Sequence, residues 1–364
     1  MDNAKNIPCE LLINPKDDKY HVDNREFQGC ATIAITPKGR IYAGWYAGGR
    51  CEPHMDNYNL LIYSDDFGKT WTDPYLIIPS SKEHLIHALD IQLWMSPEGK
   101  LHVFWVQNNV RIPKIGERGP YVDGYLFGDP AHAEWVTVCD DPDAESPQFS
   151  APRYLDKGFL RCKPLVLQNG RWLNFNYSQD DRRYQYSISD DKGTTYRHMY
   201  GAFKKATPFD ETMAYQKLDG SIRMFARTYE GELAESTSFD NGETWTEAKY
   251  SGIESPNTRF FISRTPSGNV LLVNNDHRYD RCRMTVYLSE DDGETWKYKK
   301  CIDERIHLSY PDVDFYNGRI FLVHDHDRVG CKEILFYSFT EEDIKNPDAV
   351  IRSQIISKPA GAPY

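Results

Sequence analysis

The sequence predicts an all-β chain arranged as a six-bladed β-propeller. Three observations carry that prediction: a turn motif of fixed design occurs four times, an apolar strand led by a turn glycine occurs six times, and successive copies lie about fifty residues apart. A unit of that size, with four short strands, cannot bury its sheet faces alone and is stabilised by stacking on its neighbours.

The turn motif is clearest in Ser289-Glu-Asp-Asp-Gly-Glu-Thr-Trp296. The other copies are Ser64-Asp-Asp-Phe-Gly-Lys-Thr-Trp71, Ser189-Asp-Asp-Lys-Gly-Thr-Thr-Tyr196 and Ser238-Phe-Asp-Asn-Gly-Glu-Thr-Trp245, and all fit SxDxGxT followed by an aromatic residue. Each follows an apolar or alternating run such as Met284 to Leu288, which predicts a hairpin turn between two strands. The aspartate (Asp66, Asp191, Asp240, Asp291) is expected to accept hydrogen bonds from backbone N–H groups of its own turn, and the glycine to supply a positive φ. The aromatic residue is expected to tuck beneath the turn. These are staples rather than reactive groups.

The glycine-led strands are Gly39-Arg-Ile-Tyr-Ala, Gly99-Lys-Leu-His-Val-Phe-Trp, Gly170-Arg-Trp-Leu-Asn-Phe, Gly220-Ser-Ile-Arg-Met-Phe, Gly268-Asn-Val-Leu-Leu-Val and Gly318-Arg-Ile-Phe-Leu-Val. Degenerate turns at Cys139-Asp-Asp-Pro and Tyr337-Ser-Phe-Thr complete the set, so that positions 64, 139, 189, 238, 289 and 338 are separated by 75, 50, 49, 51 and 49 residues. The long interval places an insertion in the second blade near residues 108–135, rich in Gly, Pro, Tyr and Arg, which predicts a loop. Residues 1–364 are read as a single propeller domain. Short strands at Glu10–Ile13 and Ile351–Ile356 lie at opposite ends, and one of them is expected to complete the last blade and close the ring. Helix is expected only as a turn or two near Thr340–Lys345.

A net charge of −11 and a pI near 5.5 argue against nucleic acid or an anionic membrane as partner, since both need a basic face. Any anion site must then be a local cluster of arginines. The eight cysteines are scattered without a CxxC pair, and a chain of this length needs no disulfide frame. No leader-like segment and no membrane-length apolar run is present, so the expectation is a cytoplasmic protein. The sequence holds no P-loop, GxGxxG or GxSxG motif, and no cofactor is expected. In His324-Asp-His-Asp-Arg328, alternation places both histidines on one strand face and both aspartates on the other. A third ligand at defined spacing is lacking, so no metal is assigned; Asp325 and Asp327 remain candidates to line a pocket. His84, His87 and Asp90 are candidates to reach the active face from the second blade, although the odd spacing places the two histidines on opposite faces of an extended strand.

The four boxes resemble the Asp-box, or BNR, repeat, and six blades carrying it look like the sialidase (neuraminidase) fold over nearly the whole chain. Such boxes also occur in lyases and in non-catalytic propellers, so residues outside them carry the functional reading. In Glu211-Thr-Met-Ala-Tyr-Gln-Lys-Leu-Asp-Gly-Ser-Ile-Arg-Met-Phe-Ala-Arg227 the resemblance implies a catalytic glutamate at Glu211 and a substrate-binding arginine at Arg227. Arg281, before the last box, resembles a second site arginine. Ser309-Tyr-Pro-Asp-Val-Asp resembles the stretch that holds the tyrosine nucleophile, which falls on Tyr310. Where sialidases begin their first blade with Phe-Arg-Ile-Pro, this chain has Phe27-Gln28-Gly29-Cys30, so the first arginine of the family's triad is Gln28 here; Arg25 and Arg50 are candidates to compensate. The acid/base position, about a dozen residues before the first box, falls on Glu52, with Asp56 close by. Lys204, Lys205 and Asp210 are the bland alternatives, the lysines as partners for Glu211 and Asp210 as its acidic competitor.

The implied chemistry is coherent. A sialic acid carries a carboxylate on its anomeric carbon, which repels a carboxylate nucleophile but not a neutral phenol. Phenol titrates near pH ~10, so a base such as Glu211 must take its proton during attack. Arg227 and Arg281 would hold the substrate carboxylate, while Gln28 would donate one uncharged hydrogen bond. Glu52 or Asp56 would protonate the departing oxygen and then activate water. The resemblance thus implies a retaining exo-glycosidase removing a terminal sialic acid or related acidic sugar from a carbohydrate, with Asp90 as a further contact. Two alternatives stand beside it: a propeller lyase or glycosidase acting on rhamnosyl-uronate glycans through a histidine base, and a non-catalytic carbohydrate-binding propeller.

Overall fold

Alternating β-rich runs and glycine turns produce antiparallel sheets throughout. The computed structural model describes all residues except 1, 118–120, 123, 129–131, 178–182, 205–210 and 364. Its fold is the six-bladed β-propeller. Each blade has four principal strands: in the first, Phe27–Ile35, Ile41–Gly48, Tyr58–Ser64 and Leu76–Pro79; in the second, Ile86–Met95, Leu101–Arg111, Ala133–Cys139 and Arg153–Lys157. The third comprises Leu165–Val166, Trp172–Asn174, Arg183–Ser189 and Arg197–Lys204; the fourth Thr212–Gln216, Ile222–Ala226, Glu232–Ser238 and Lys249–Glu254. Phe261–Arg264, Val270–Asn275, Cys282–Ser289 and Tyr298–Ile306 form the fifth, and Leu308–Tyr316, Arg319–His326, Glu333–Phe339 and Ser353–Ser357 the sixth.

The repeat phase read from sequence coincides with this order. Every repeated turn glycine lies between the first and second strands of its blade, and the third strand of the first five blades ends on the box position itself. Of the two end strands, Ser353–Ser357 completes the last blade, whereas Leu12–Ile13 pairs with Leu76–Pro79 as a fifth strand of the first. In the second blade, the short hairpin Tyr121–Val122 and Tyr125–Phe127 grows from Leu101–Arg111. The predicted helical turn is Glu341–Lys345, capped by Thr340 and Asp343 in a reciprocal capping box; a second short helix spans Asn3–Asn6.

All four boxes adopt one geometry. The serine hydroxyl donates to the aspartate at 2.8, 2.8, 2.8 and 2.7 Å and accepts from the glycine N–H, while the threonine N–H and hydroxyl both donate to the same aspartate. The glycine and the residue before it both have positive φ, as in Asp292 (61°) and Gly293 (82°), which is the sign pattern of a type I′ hairpin turn. Trp245 packs edge-on to Phe175 and Tyr186, as a residue tucked beneath its turn should.

The described chain divides into two compact units: Met1–Leu160, Asp325–Phe336 and Ile355–Tyr364 in one, Arg161–His324 and Tyr337–Gln354 in the other. The first is built on a core that includes Tyr42, Leu61, Ile91, Leu93, Trp105 and Trp135. The second includes Leu173, Phe175, Tyr186, Ile222, Met224 and Trp245. All eight cysteines are free thiols.

Candidate active site

A hairpin brings Glu211 and Arg227 together. Thr212 pairs with Ala226 in the fourth blade, so the residues just beyond that pair face each other, and the Arg227 N–H donates to the Glu211 carbonyl at 3.2 Å. Their side chains then join: Arg227 Nη1 donates to Glu211 Oε2 at 2.5 Å. Tyr310, in the first strand of the sixth blade, donates its hydroxyl to Glu211 Oε1 at 2.6 Å and accepts from Arg227 Nη1 at 3.2 Å. All three side chains are buried. Burial by itself raises the Glu211 carboxyl, but the charges of Arg227 and Arg161 and the hydrogen bonds from Tyr310 and Arg227 outweigh it and leave the group below its ordinary range. Glu211 is therefore ionised at neutral pH and in contact with the phenol proton. Burial lowers the pKa of Arg227, yet Glu211 and Tyr310 together raise it, so its charge is secure.

Three more guanidinium groups surround the phenol: those of Arg161, Arg259 and Arg281 lie 4.9, 5.4 and 5.9 Å from the Tyr310 ring centroid. Asn257 braces two arginines, accepting from Arg227 Nε at 2.7 Å through its side chain and from Arg227 Nη2 and Arg281 Nη2 at 2.9 and 3.0 Å through its carbonyl. Tyr310 has φ of 57°, a costly conformation for a bulky residue. Arg259 holds that part of the strand: Nη2 donates to the carbonyls of Tyr310 (3.3 Å) and Pro311 (2.8 Å), and Nη1 to that of Arg161 (2.7 Å).

A second cluster lies in the other unit. Sulfur of Cys30 and carboxylate oxygens of Glu52 and Asp90 lie within 4.8 Å of one another, and the thiol approaches Glu52 Oε1 at 3.8 Å. Cys30 and Asp90 both have φ of 62°, at places where the strand register shifts, which marks bulges that re-aim side chains. Glu52 also accepts from Arg328 Nη1 at 2.7 Å.

Several expectations are corrected here. Gln28 does not offer its amide to a ligand. It is fully buried, its Nε2 donates to the carbonyls of Lys332 and Ser357, and its Oε1 accepts from Arg25, Trp45 and Ser357. Arg25 is spent in the same internal network and does not replace the missing cation, while Arg50 is exposed in the following loop. Asp56 pairs with Lys82 at 2.5 Å and lies 3.7 Å from His54, apart from the Cys30 group, which leaves Glu52 as the carboxylate beside Asp90. His87 is completely buried, lies 3.0 Å from Tyr46 Oη, and is pushed down to about 3 by burial and by the nearby His54. His84 shares no cluster with it and uses its carbonyl to accept from Asn3. His324 meets the Tyr337 hydroxyl and His326 the Glu333 carboxylate, so the two are engaged separately; Asp325 joins the Cys30 cluster and Asp327 caps its own turn. Lys205 and Asp210 lie outside the described residues, as does the side chain of Lys204.

Sequence reasoning missed Arg161, Arg259, Asn257 and Arg328. A signal for the first two was present: nine residues before the six turn glycines stand Cys30, Asp90, Arg161, Glu211, Arg259 and Ser309, the last next to Tyr310. One phase of the repeat thus carries five of the clustered residues. Asn257 and Arg328 belong to loops and have no such periodic signal.

In fold, the chain is similar to the NanB sialidase of Streptococcus pneumoniae (17% identity, TM-score 0.68, covering 93% of this chain and 71% of that one). It is also similar to the intramolecular trans-sialidase of Ruminococcus gnavus (16%, TM-score 0.68, 92% and 98%) and to a protein of unknown function from Dyadobacter fermentans (18%, TM-score 0.64, 95% and 96%). At these identities the likeness establishes a sialidase-type propeller fold. Residues 39–322 match the BNR repeat-like domain family, and the chain belongs to that family. No curated protein matches the chain. Among the described residues, no helix is long and apolar enough to cross a membrane.

Proposed function

We propose that this protein is a retaining exo-glycosidase that removes a terminal sialic acid or a related acidic sugar from a glycan. The observation that carries the reading is the 2.6 Å hydrogen bond from the Tyr310 phenol to the buried, ionised Glu211. A tyrosine whose proton already points at a carboxylate is a nucleophile paired with its base. As the phenol attacks the anomeric carbon its proton passes to Glu211, and the surrounding guanidinium groups stabilise the negative charge that develops on its oxygen. Arg281, half-buried and with one described hydrogen bond from its guanidinium, is the natural contact for a substrate carboxylate. The Arg227 side chain already makes at least four hydrogen bonds inside the protein, so its first task is to brace the Tyr310–Glu211 pair. Glu52 is assigned the acid/base role, protonating the departing oxygen and then activating water.

The test is release of a fluorogenic aglycone from a panel of sialosides, uronides and rhamnosides by wild type and Tyr310→Phe. Cleavage of an acidic glycoside that falls at least ~10³-fold in the variant supports the reading. Activity confined to neutral sugars, or unchanged in Tyr310→Phe, sinks it, and binding without turnover of any sugar assigns the chain to carbohydrate recognition.

A further inference from the structure

Arg328 lies directly across Gly29. A β-carbon placed on Gly29 would stand 2.7 Å from both Cγ and Cδ of Arg328 and 2.8 Å from its Nε. The arginine stem therefore fills the volume that any side chain at position 29 would need. Gly29 is absent from the residues with positive φ, so its backbone places no demand for glycine; the arginine does. From there the guanidinium reaches two carboxylates, Asp325 through Nε at 3.1 Å and Glu52 through Nη1 at 2.7 Å. Asp325, wholly buried, also accepts the Cys30 N–H at 2.6 Å. Glu52 and Asp325 thus share this cation, and Asp90 lies beside Glu52 in the same cluster.

Glu52 sits in a loop outside any strand, and its carboxyl is held by the contact with Arg328. We propose that Arg328 is the positioning residue for Glu52, and that Gly29 exists to let it pass. The inference rests on the assignment of Glu52 as acid/base. With Arg328 on Oε2, the proton that Glu52 carries belongs on Oε1, the oxygen that faces Cys30 Sγ. Arg328 thereby makes the two oxygens unequal and orients the acid. It also supplies the positive charge that keeps Glu52 from being driven away by Asp325 and Asp90.

The test compares two aglycones. General-acid assistance contributes ~10²–10⁴-fold for a poor leaving group such as a sugar and little for an aryl group that departs as a stable anion. Arg328→Gln and Gly29→Ala, which displaces the arginine without touching its charge, should each lower kcat/KM at least ~10²-fold on a sugar-linked substrate and less than ~10-fold on the aryl glycoside. Arg328→Lys should recover part of the loss. Equal losses on both substrates, or a Gly29→Ala protein that behaves as wild type, overturn the proposal. A double-mutant cycle on urea unfolding with Glu52→Gln and Arg328→Gln separates this inference from the function on which it rests: the pair should be coupled by about 2- to 5-fold in the unfolding constant, as partly exposed ion pairs are. Coupling in a protein that cleaves no glycoside leaves the pairing standing and removes the glycosidase reading; strict additivity removes the pairing.

Discussion

Tyr310 is the most constrained of the clustered side chains. Its left-handed backbone holds the phenol against Glu211, and Arg259 donates to the carbonyls of Tyr310 and Pro311. Arginine suits this place because its rigid fork reaches three carbonyls from a buried position. Arg259→Met, which keeps much of the volume, would leave the carbonyls of Arg161, Tyr310 and Pro311 without that donor. With hydrogen bonds to a charged group worth about 1.5–3 kcal/mol each, urea unfolding of this variant should show a loss of about 3 kcal/mol or more. A loss below about 1 kcal/mol would mean that this part of the strand is held by its neighbours instead.

At the scale of the element, the boxes are self-contained. Each aspartate accepts bonds from a serine, a threonine N–H and a threonine hydroxyl within its own turn, and in Asp66, Asp191 and Asp291 these bonds hold the carboxyl at about 2. A carboxyl with a folded pKa below its unfolded value stabilises the fold above the unfolded pKa, and that contribution disappears as pH falls through the folded one. Asp291→Ala should therefore lower the thermal midpoint at pH 7, and the gap to wild type should narrow between about pH 4 and pH 2. A gap that is independent of pH in calorimetry would place the stabilisation elsewhere than in the ionised carboxylate.

Across the whole molecule, the chain ends are tied in. Ser357, in the last strand, accepts from Arg25 at 2.9 Å and donates to Gln28 at 3.0 Å, and its carbonyl accepts from the Gln28 amide at 3.2 Å. Removing residues 353–364 would strip the outer strand from the sixth blade and leave two buried polar side chains short of partners. That truncation should lower the calorimetric midpoint clearly more than removal of residues 361–364. Equal midpoints would show that the terminal strand contributes nothing to cooperativity.

The blades and their staples were legible in the residues alone because their causes are local. A box needs eight consecutive residues, a turn glycine needs its own φ, and repetition reports the first four times and the second six. Glu211, Arg227 and Tyr310 were singled out only through their resemblance to known stretches, and the direct contact between Glu211 and Arg227 was not foreseen, although a single hairpin joins them. What folding decided were directions and long-range partners. Strand alternation fails at the bulges beside Cys30 and Asp90, so the face presented by Gln28, Gly29 and Cys30 could not be counted from the pattern. Gln28 turned into an internal network, Glu52 rather than Asp56 joined the cluster, and Arg328 came to lie over Gly29 from almost three hundred residues away. Such contacts are set by where long side chains find charge and space once the backbone is in place, and no local pattern encodes them.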